Sequence, residues 1–160
     1  MRQRLLAFAI LGLGIGVMAV TSGAQAADSR LTVADVEKVT GLKGIQLVAP
    51  GSVAGAGAGL NFAGADKHMV LMVNFGTAAL YRRAKEQKTV GGLPMPLFHA
   101  DVAGIGDEAF DSPPGPLQFV LYARKGTNAV SLTAYYVSAN KATLTMNQLK
   151  QLAAIAVSRM

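Results

Sequence analysis

The spacing of apolar and polar positions predicts three helices, and the first spans residues 33–40. Thr32 stands at the N-cap position, and Asp35 follows in the first turn, where a carboxylate suits the positive end of a helix. Gly41 can end the helix in the left-handed conformation. The residues expected to face the core recur at helical spacing or form a hydrophobic staple across the N-terminus: Leu31, Val33, Val36 and Val39.

The C-terminal helix has the clearest start signal in the chain. Thr145 and Gln148 form a capping-box pattern, and Leu144 with Leu149 is its hydrophobic staple. The apolar stripe that follows predicts packing on a sheet and consists of Leu149, Leu152, Ala153, Ala156 and Met160.

The middle helix is expected to begin at Thr77, whose hydroxyl can cap it. Its amphipathic pattern separates an inward from an outward set of side chains. The inward set is Leu80, Tyr81 and Ala84, and the outward set is Arg82, Arg83, Lys85 and Glu86.

Six segments have the composition of strands, and the third of them is nearly all apolar, which is typical of a central strand. They are residues 44–49, 60–62, 69–75, 97–102, 117–124 and 129–137. Residues 125–128 predict a hairpin turn, with Gly126 and Asn128 suited to positive φ. Residues 111–116, with three prolines and a glycine, predict a loop. Residues 50–59 are rich in Gly and Ala and are expected to form a mobile loop.

Hairpin-linked strands without regular βαβ alternation predict an α+β fold. We expect an antiparallel sheet of about five to six strands, with the N-terminal, middle and C-terminal helices packed on one face. The length that remains after residue 26 is close to the common size of one domain, so residues 27–160 are expected to form a single domain.

The first 26 residues have the pattern of a secretory signal peptide. A short basic start is followed by an apolar run over residues 5–20 and by Ala24-Gln25-Ala26, a small-x-small cleavage signal. The run is shorter than the roughly 20 residues that a membrane span needs. We therefore expect cleavage near Ala26 and a periplasmic or secreted mature chain that begins at Ala27, with an uncleaved membrane anchor as the alternative.

Composition removes several classes of site. The chain has no cysteine, which excludes thiol catalysis, thiolate metal sites and lipid attachment through an N-terminal cysteine. Loss of Arg2 and Arg4 with the signal lowers Lys and Arg from 15 to 13 against nine acidic residues, a net charge of +4. This mild charge and an exported address do not point to nucleic acid.

Five features occur in an order that resembles small exported bacterial proteins of unknown function. They are the residues 31–41, the strand 69–75, the turn Gly104-Ile105-Gly106-Asp107-Glu108-Ala109-Phe110, a strand that ends Arg124-Lys125-Gly126, and the closing helix. The group includes actinobacterial surface lipoproteins and the extracellular sensor domains of some mycobacterial serine/threonine kinases. Members usually carry a lipidated cysteine and a disulfide, which this chain lacks. The resemblance implies an α+β fold and supplies no catalytic residues.

The turn 104–109 also matches the pattern G-x-G-x-x-A of dinucleotide-binding folds, but it does not lie between the first strand and first helix of a parallel unit. The favoured interpretation is a glycine turn in which Asp107 caps a single helical turn while Ala109 and Phe110 pack inward. The alternative is a loop that binds a ligand or partner through Asp107, Glu108 and Phe110.

Other candidate sites have simpler interpretations. Asp107, Glu108 and Asp111 could serve glycoside chemistry, but neighbouring acids on one loop usually point apart. The set His68, His99 and Asp101 has no recognised metal-ligand spacing, so no metal is expected. Ser52 has no G-x-S-x-G context.

A basic patch on the middle helix could bind anionic lipid or polymer of the envelope. Its residues are Arg82, Arg83, Lys85 and Lys88, and an ordinary charged helix face is the favoured interpretation of them. Tyr135 and Tyr136 must point to opposite faces of a strand, so one of them is expected in the core.

The pattern as a whole favours a non-enzymatic exported domain, sensor-like or accessory, that binds an unknown envelope protein or small ligand without a cofactor. The second hypothesis is an envelope-interaction protein that uses the basic helix face. A small periplasmic enzyme is the third.

Overall fold

The structure is a computed structural model, which describes residues 28–86, 89–90, 93–94, 100–112, 118–138 and 141–160. The helices in these residues are α1 (Val33–Thr40), α2 (Ala78–Glu86) and α3 (Met146–Ser158). The longer strands are β1 (Gln46–Val48), β2 (Leu60–Ala63), β3 (Met69–Thr77), β7 (Glu108–Ser112), β8 (Gln118–Lys125) and β9 (Asn128–Ser138). Four strands have two residues each: β4 (Thr89–Val90), β5 (Leu93–Pro94), β6 (Ala100–Asp101) and β10 (Lys141–Ala142).

The main sheet is antiparallel and has the order β1-β2-β3-β9-β8-β7-β6, with β10 paired to β9. Two meanders, β1 to β3 and β6 to β9, meet where β3 pairs with β9. The expected α+β class is confirmed, and the apolar strand β3 lies in the interior of the sheet, as its composition indicates. The sheet has more strands than expected because it includes the short β10 and because β7 occupies part of the segment interpreted as turn and loop; the short β6 lies within the predicted strand 97–102.

Helices α1 and α3 form an antiparallel pair on one face of the sheet, which we call the inner face. The Nη1 atom of Arg159 donates to Oδ2 of Asp35 at 2.7 Å, which joins the C-terminal end of α3 to the start of α1. At the other end, Nε2 of Gln148 donates to the carbonyl of Thr40 at 3.3 Å. The predicted N-cap at Thr32 and the predicted capping box of Thr145 and Gln148 are present, Asp35 completes a second capping box with Thr32, and Gly41 ends α1 with φ of 74°.

The core fills the space between the helix pair and the inner face. Leu71, Val73, Leu121 and Leu132 of the strands are fully buried, and they belong to one apolar cluster with Leu149 and Leu152 of α3. The predicted stripe of α3 is confirmed, since Ala153 and Ala156 are also buried and Met160 packs against the same cluster.

Helix α2 lies on the opposite, outer face. In β7 and β8, Ala109 and Leu121 face the inner core, so their neighbours Phe110 and Tyr122 face outward, where they pack with Tyr81 of α2. The expectation that all three helices share one face therefore does not hold for α2. The amphipathic pattern of α2 requires a sheet surface but does not specify which face supplies it.

Only part of the apolar face of α2 reaches the sheet. Tyr81 is buried and Ala84 is partly buried in the outer-face cluster, as predicted. Leu80 was predicted to face inward, and this is wrong, because its side chain is 58% exposed. The register of α2 is set at its start, where the Ala78 N–H donates to the Thr127 carbonyl at 2.8 Å.

The Gly/Ala segment, residues 50–59, follows a defined path over the other end of the outer face. The Asn61 side chain is buried, and it accepts from the Gly57 N–H and donates to the carbonyls of Gly57 and Gly59 at 2.8–2.9 Å. The Tyr135 hydroxyl donates to the Gly55 carbonyl at 2.8 Å. The segment is a loop, as predicted, and these bonds join it to the sheet; its expected mobility stays a prediction. Tyr136 packs on the inner core, so the two tyrosines do face opposite ways.

The hairpin between β8 and β9 turns at Gly126, whose φ is 58°. Asn128 was expected to share this backbone conformation, but it is the first residue of β9 and pairs with Lys125.

The expected signal peptide, residues 1–26, lies outside the described residues. Within the described part of the chain, no helix is long and apolar enough to cross a membrane.

The first testable prediction concerns the α3 core contact. Leu152 is fully buried, so Leu152→Ala should lower the free energy of unfolding by about 2–5 kcal/mol, through lost burial and the cavity left behind. Gln151 is exposed on the same helix, and Gln151→Ala should change it by no more than about 0.5 kcal/mol. Urea denaturation measures both, and equal effects would contradict the docking of α3.

The second prediction concerns the Gly/Ala segment. Asn61→Ala should lower the free energy of unfolding by about 1–3 kcal/mol, because it removes the hydrogen bonds between this buried side chain and half-buried backbone groups of Gly57 and Gly59. Amide exchange in residues 51–59 should accelerate in this variant. Ser52→Ala, which removes one exposed hydroxyl in the same segment, is the control and should leave exchange unchanged. Rapid exchange already in the parent protein would show that the segment is not held.

Candidate functional site

A small pocket lies on the outer face at the side of α2, and we call it the α2 pocket. It has a volume of about 80 Å³. The cross-strand pairs Asn74–Ser131 and Gly76–Ala129 lie at its floor, because β3 and β9 are paired in this register. The remaining lining comes from Phe75, Leu80, Tyr81, Tyr122 and Val130.

The residue types in the two central strands explain why the pocket forms here. On the inner face they are large and apolar, whereas Asn74, Gly76, Ala129 and Ser131 on the outer face are small or polar. Gly76 leaves space for the Leu80 side chain, since a Cβ atom at this position would lie 2.9 Å from its Cδ1 atom. The floor therefore combines an amide and a hydroxyl with a glycine over which the end of the Leu80 side chain lies.

An aromatic stack supports the pocket from below α2. The ring of Tyr81 meets the ring of Phe110 edge-on with centroids 5.1 Å apart, and Phe110 stacks on Tyr122 at 4.7 Å. Edge-on and offset-stacked pairs of this kind add about 0.5–1.5 kcal/mol to the burial of the rings. The stack is the main apolar contact that holds α2 on the sheet.

The hydroxyl of Tyr81 is the one buried side-chain polar atom without a hydrogen-bond partner in the part of the chain that the structure describes. Tyr81 is only 2% exposed. Burial raises its pKa to about 12, and the negative charges of Glu108 and Asp101 add to the shift while Arg124 opposes it. The phenol is therefore neutral at physiological pH and can offer a proton to a hydrogen-bond acceptor but cannot act as a base.

The turn 104–107 is hydrogen-bonded to the β8–β9 hairpin. The Oδ2 atom of Asp107 accepts from the Gly126 N–H at 2.7 Å, and the Asp107 N–H donates to the Arg124 carbonyl at 2.8 Å. Gly106 has φ of 62° and approaches the same carbonyl, which leaves no room for a side chain. Asp107 was expected to cap a helical turn, but it caps the neighbouring hairpin instead.

The acidic residues of this turn are neutralised locally. The guanidinium of Arg124 lies 3.4 Å from Asp107 and 3.2 Å from Glu108. Glu108 and Asp111 stand at positions of opposite parity in β7, so they face opposite sides of the sheet. Asp111 accepts from the Ala100 N–H at 3.0 Å. The three carboxylates therefore do not converge as a glycosidase pair would require.

Phe110 was a candidate contact for a ligand or partner, and its position contradicts this role. Its ring is fully buried between Tyr81 and Tyr122. Ala109 is also buried, as expected, but on the inner face. Asp107 and Glu108 remain about half exposed, and both are paired with Arg124, so a partner that reached them would meet carboxylates that already have a cationic neighbour.

The residues of the expected basic patch differ in their contacts with the rest of the protein. Arg82 and Arg83 are exposed, and no hydrogen bond or ion pair to another described residue engages them. Lys85 lies 3.2 Å from Asp101, which neutralises part of its charge. Lys88 lies outside the described residues.

The described residues include no group of three or more His, Asp or Glu side chains that could hold a metal ion. His68 is exposed, with Nδ1 lying 3.2 Å from Asp66, and His99 lies outside the described residues. The Ser52 hydroxyl donates to the Ala49 carbonyl at 2.6 Å in an exposed turn.

The size of the α2 pocket limits what it can hold. Sites for whole small-molecule ligands usually measure about 300–1,000 Å³, and this pocket is about 80 Å³. A second, more open concavity of about 290 Å³ lies between the turn 104–107 and α3, but Lys125 there is already bonded to the Val157 carbonyl at 3.4 Å. The α2 pocket suits one side chain of a larger partner.

Comparison with protein-family models, curated proteins and solved structures finds no match to this chain. The resemblance to exported sensor domains stays a prediction. What the structure adds to it is the physical role of Gly106 and Asp107, which position β7 against the hairpin.

Sequence reasoning missed the α2 pocket. Its lining comes from β3, α2, β8 and β9, and no motif in the sequence connects these segments. One available signal was the run of small and polar residues at alternate positions of two otherwise apolar strands: Asn74, Gly76, Ala129 and Ser131.

The third prediction tests the buried hydroxyl. Tyr81→Phe should raise the free energy of unfolding by about 1 kcal/mol, because the phenyl ring keeps the stack without burying an unpaired polar group. Tyr122 packs on the same ring but is only half buried, so Tyr122→Phe should have a smaller effect. Thermal and urea denaturation measure the two variants. Destabilisation by Tyr81→Phe would show that the hydroxyl has a partner in solution.

Proposed function

We propose that the protein is a non-enzymatic binding domain that acts outside the cytoplasm, in a sensor-like or accessory role. Residues 1–26, with their basic start, apolar run and small-x-small end, support the export. The observation that carries the binding role is Leu80, the one large apolar side chain that is exposed in the described residues. It stands at the rim of the α2 pocket.

The surface around Leu80 favours a partner of a particular chemistry. Arg83 lies one helical turn from Leu80 and is therefore close to it on the helix surface. The pocket beyond Leu80 offers an apolar wall and the polar side chains of Asn74 and Ser131. An envelope protein that inserts one apolar side chain and places acidic groups nearby would match this surface.

An enzymatic role has less support. The ionisable groups that line the α2 pocket are Tyr81 and Tyr122, and burial raises the pKa of both, so both are neutral at physiological pH. The pocket is also too small to surround a substrate of ordinary size. Residues that pair with each other near it, such as Arg124 with Asp107 and Glu108, serve the fold.

Binding to an anionic surface is the second candidate, favoured by the exposed Arg82 and Arg83. Each basic residue near an anionic membrane contributes about 1 kcal/mol. With Lys85 engaged by Asp101, these two arginines supply about 2 kcal/mol, which is too little for stable attachment on its own. They suit the steering of an acidic protein partner better.

The fourth prediction tests the binding surface. A photo-crosslinking amino acid at position 80 should give a discrete protein adduct in the envelope, because Leu80 lies in the proposed interface. The same amino acid at position 151, exposed on α3, is the matched control and should give none. Ser131→Leu, which fills the pocket, and Arg83→Glu should each weaken the adduct while leaving the thermal melt unchanged.

A second measurement separates the two candidates. Co-sedimentation with anionic vesicles at 0.01 M and 0.1 M salt compares conditions in which the Debye length falls from about 30 to about 10 Å. Strong, salt-sensitive binding that Arg82→Glu with Arg83→Glu abolishes would favour the anionic surface. Equal crosslinking from positions 80 and 151 would contradict the α2 pocket as the interface.

A further inference from the structure

The Gly/Ala segment passes very close to a methionine and a tyrosine on the outer face of the sheet. A Cβ atom at Gly57 would lie 2.7 Å from Sδ of Met72, so the backbone of Gly57 is in contact with this sulfur. A Cβ atom at Gly55 would lie 3.1 Å from Cε1 of Tyr135. Glycine at both positions leaves space for the two side chains, and there is no room for a further atom between the Met72 sulfur and Gly57.

The hydroxyl of Tyr135 lies near two acceptors. It donates to the Gly55 carbonyl at 2.8 Å, and the sulfur of Met72 lies 3.9 Å from the same hydroxyl oxygen. Burial raises the pKa of Tyr135, so the phenol keeps its proton at physiological pH. Because a thioether sulfur is a weak acceptor, the single proton of the hydroxyl goes to the carbonyl and helps to hold the Gly/Ala segment.

Met72 is also a side chain that oxidants can modify. The chain has no cysteine, so the sulfur atoms that can be oxidised belong to its seven methionines. Met72 is partly buried, whereas Met69 of the same strand is only 5% exposed. We therefore expect peroxide to reach the sulfur of Met72 while the protein is folded, and to reach that of Met69 more slowly.

We propose that Met72 is a reversible oxidation site whose sulfoxide releases the Gly/Ala segment from the sheet. Oxidation replaces an apolar thioether with a polar, chiral sulfoxide. An oxygen on the side of Tyr135 competes with the Gly55 carbonyl for the hydroxyl proton, and an oxygen on the side of Gly57 collides with its backbone. In either position the segment loses a contact with the sheet. This inference needs neither the proposed export nor the α2 pocket.

The reaction is a two-electron oxidation by a peroxide. A lone pair of the Met72 sulfur attacks one oxygen of hydrogen peroxide, the O–O bond breaks and an S–O bond forms. The second oxygen leaves as water after proton transfer. A methionine sulfoxide reductase reverses the change with thiols as reductant, since two thiols become a disulfide and the sulfoxide oxygen leaves as water.

The experiment treats the folded protein with hydrogen peroxide. Peptide mass mapping follows the sulfoxide at each methionine, and amide exchange follows Ala56 and Gly57, whose N–H groups donate to the Val53 carbonyl and to the Asn61 side chain. As the Met72 sulfoxide forms, we expect both amides to exchange about three- to tenfold faster, because the segment opens more often. Leu132 in the central strand β9 should keep its rate, and reductase with thiol should restore slow exchange.

Three variants test whether Met72 is the cause. Met72→Leu keeps an apolar side chain without the sulfur, so peroxide should leave exchange in the segment slow. Met146 is another partly buried methionine, and Met146→Leu is the matched control that should respond to peroxide as the parent does. Met72→Gln places an amide near the position of the sulfoxide oxygen and should give fast exchange without any oxidant. Thermal melts establish that each variant is folded.

Three outcomes would overturn the inference. The first is a folded protein in which peroxide oxidises Met146 but not Met72. The second is a Met72 sulfoxide that forms without faster exchange at Ala56 and Gly57. The third is an equal response to peroxide in the parent and in Met72→Leu, which would assign the effect to another methionine.

Discussion

The pairing of β3 with β9 is the contact on which the rest of the structure depends. Seven residue pairs join the two strands, from Leu71–Ala134 to Thr77–Asn128. This one ladder unites the two meanders into a sheet and fixes which side chains face α1 and α3. A shift of one residue would move Leu71 and Val73 out of the core and bring Asn74 in. The register is therefore enforced by the burial of the inner face.

The same register creates the unusual outer face. Large apolar side chains of β3 and β9 lie on the inner side, and the outer positions beside α2 carry small or polar residues, among them Asn74 and Ser131. Such a surface cannot hold a helix by itself, and α2 depends on the aromatic stack with Phe110 and Tyr122. The Gly/Ala segment is held by hydrogen bonds from Asn61 and Tyr135 instead of a hydrophobic contact. Helix α2 and the Gly/Ala segment each cover a part of the outer face, and the α2 pocket remains open beside the helix.

Local interactions could be predicted from the sequence, whereas contacts between distant segments could not. The N-cap at Thr32 and the capping box at Thr145 were predicted because each is complete within four residues. Asp107 was assigned the wrong partner because the N–H group that its carboxylate accepts from, that of Gly126, lies 19 residues further along the chain. Strand β7 was missed because only Ala109 and Phe110 in it are apolar, so its period of two is hidden. For α2 the helix was found, but its face of the sheet and the exposure of Leu80 follow from sheet geometry alone. The α2 pocket is lined by residues of β3, α2, β8 and β9, so it depends on contacts between distant segments, and for that reason no sequence motif pointed to it.

Arg159 connects the two ends of the described chain through one side chain. Its hydrogen bonds, followed by those from Thr32, hold the pKa of the Asp35 carboxyl far below its ordinary value. Because the pKa is lowered on folding, the link contributes its full stability above the ordinary aspartate pKa of about 4 and loses it as the pH falls further. The link between α1 and α3 therefore persists at neutral and mildly acidic pH, where Asp35 stays charged.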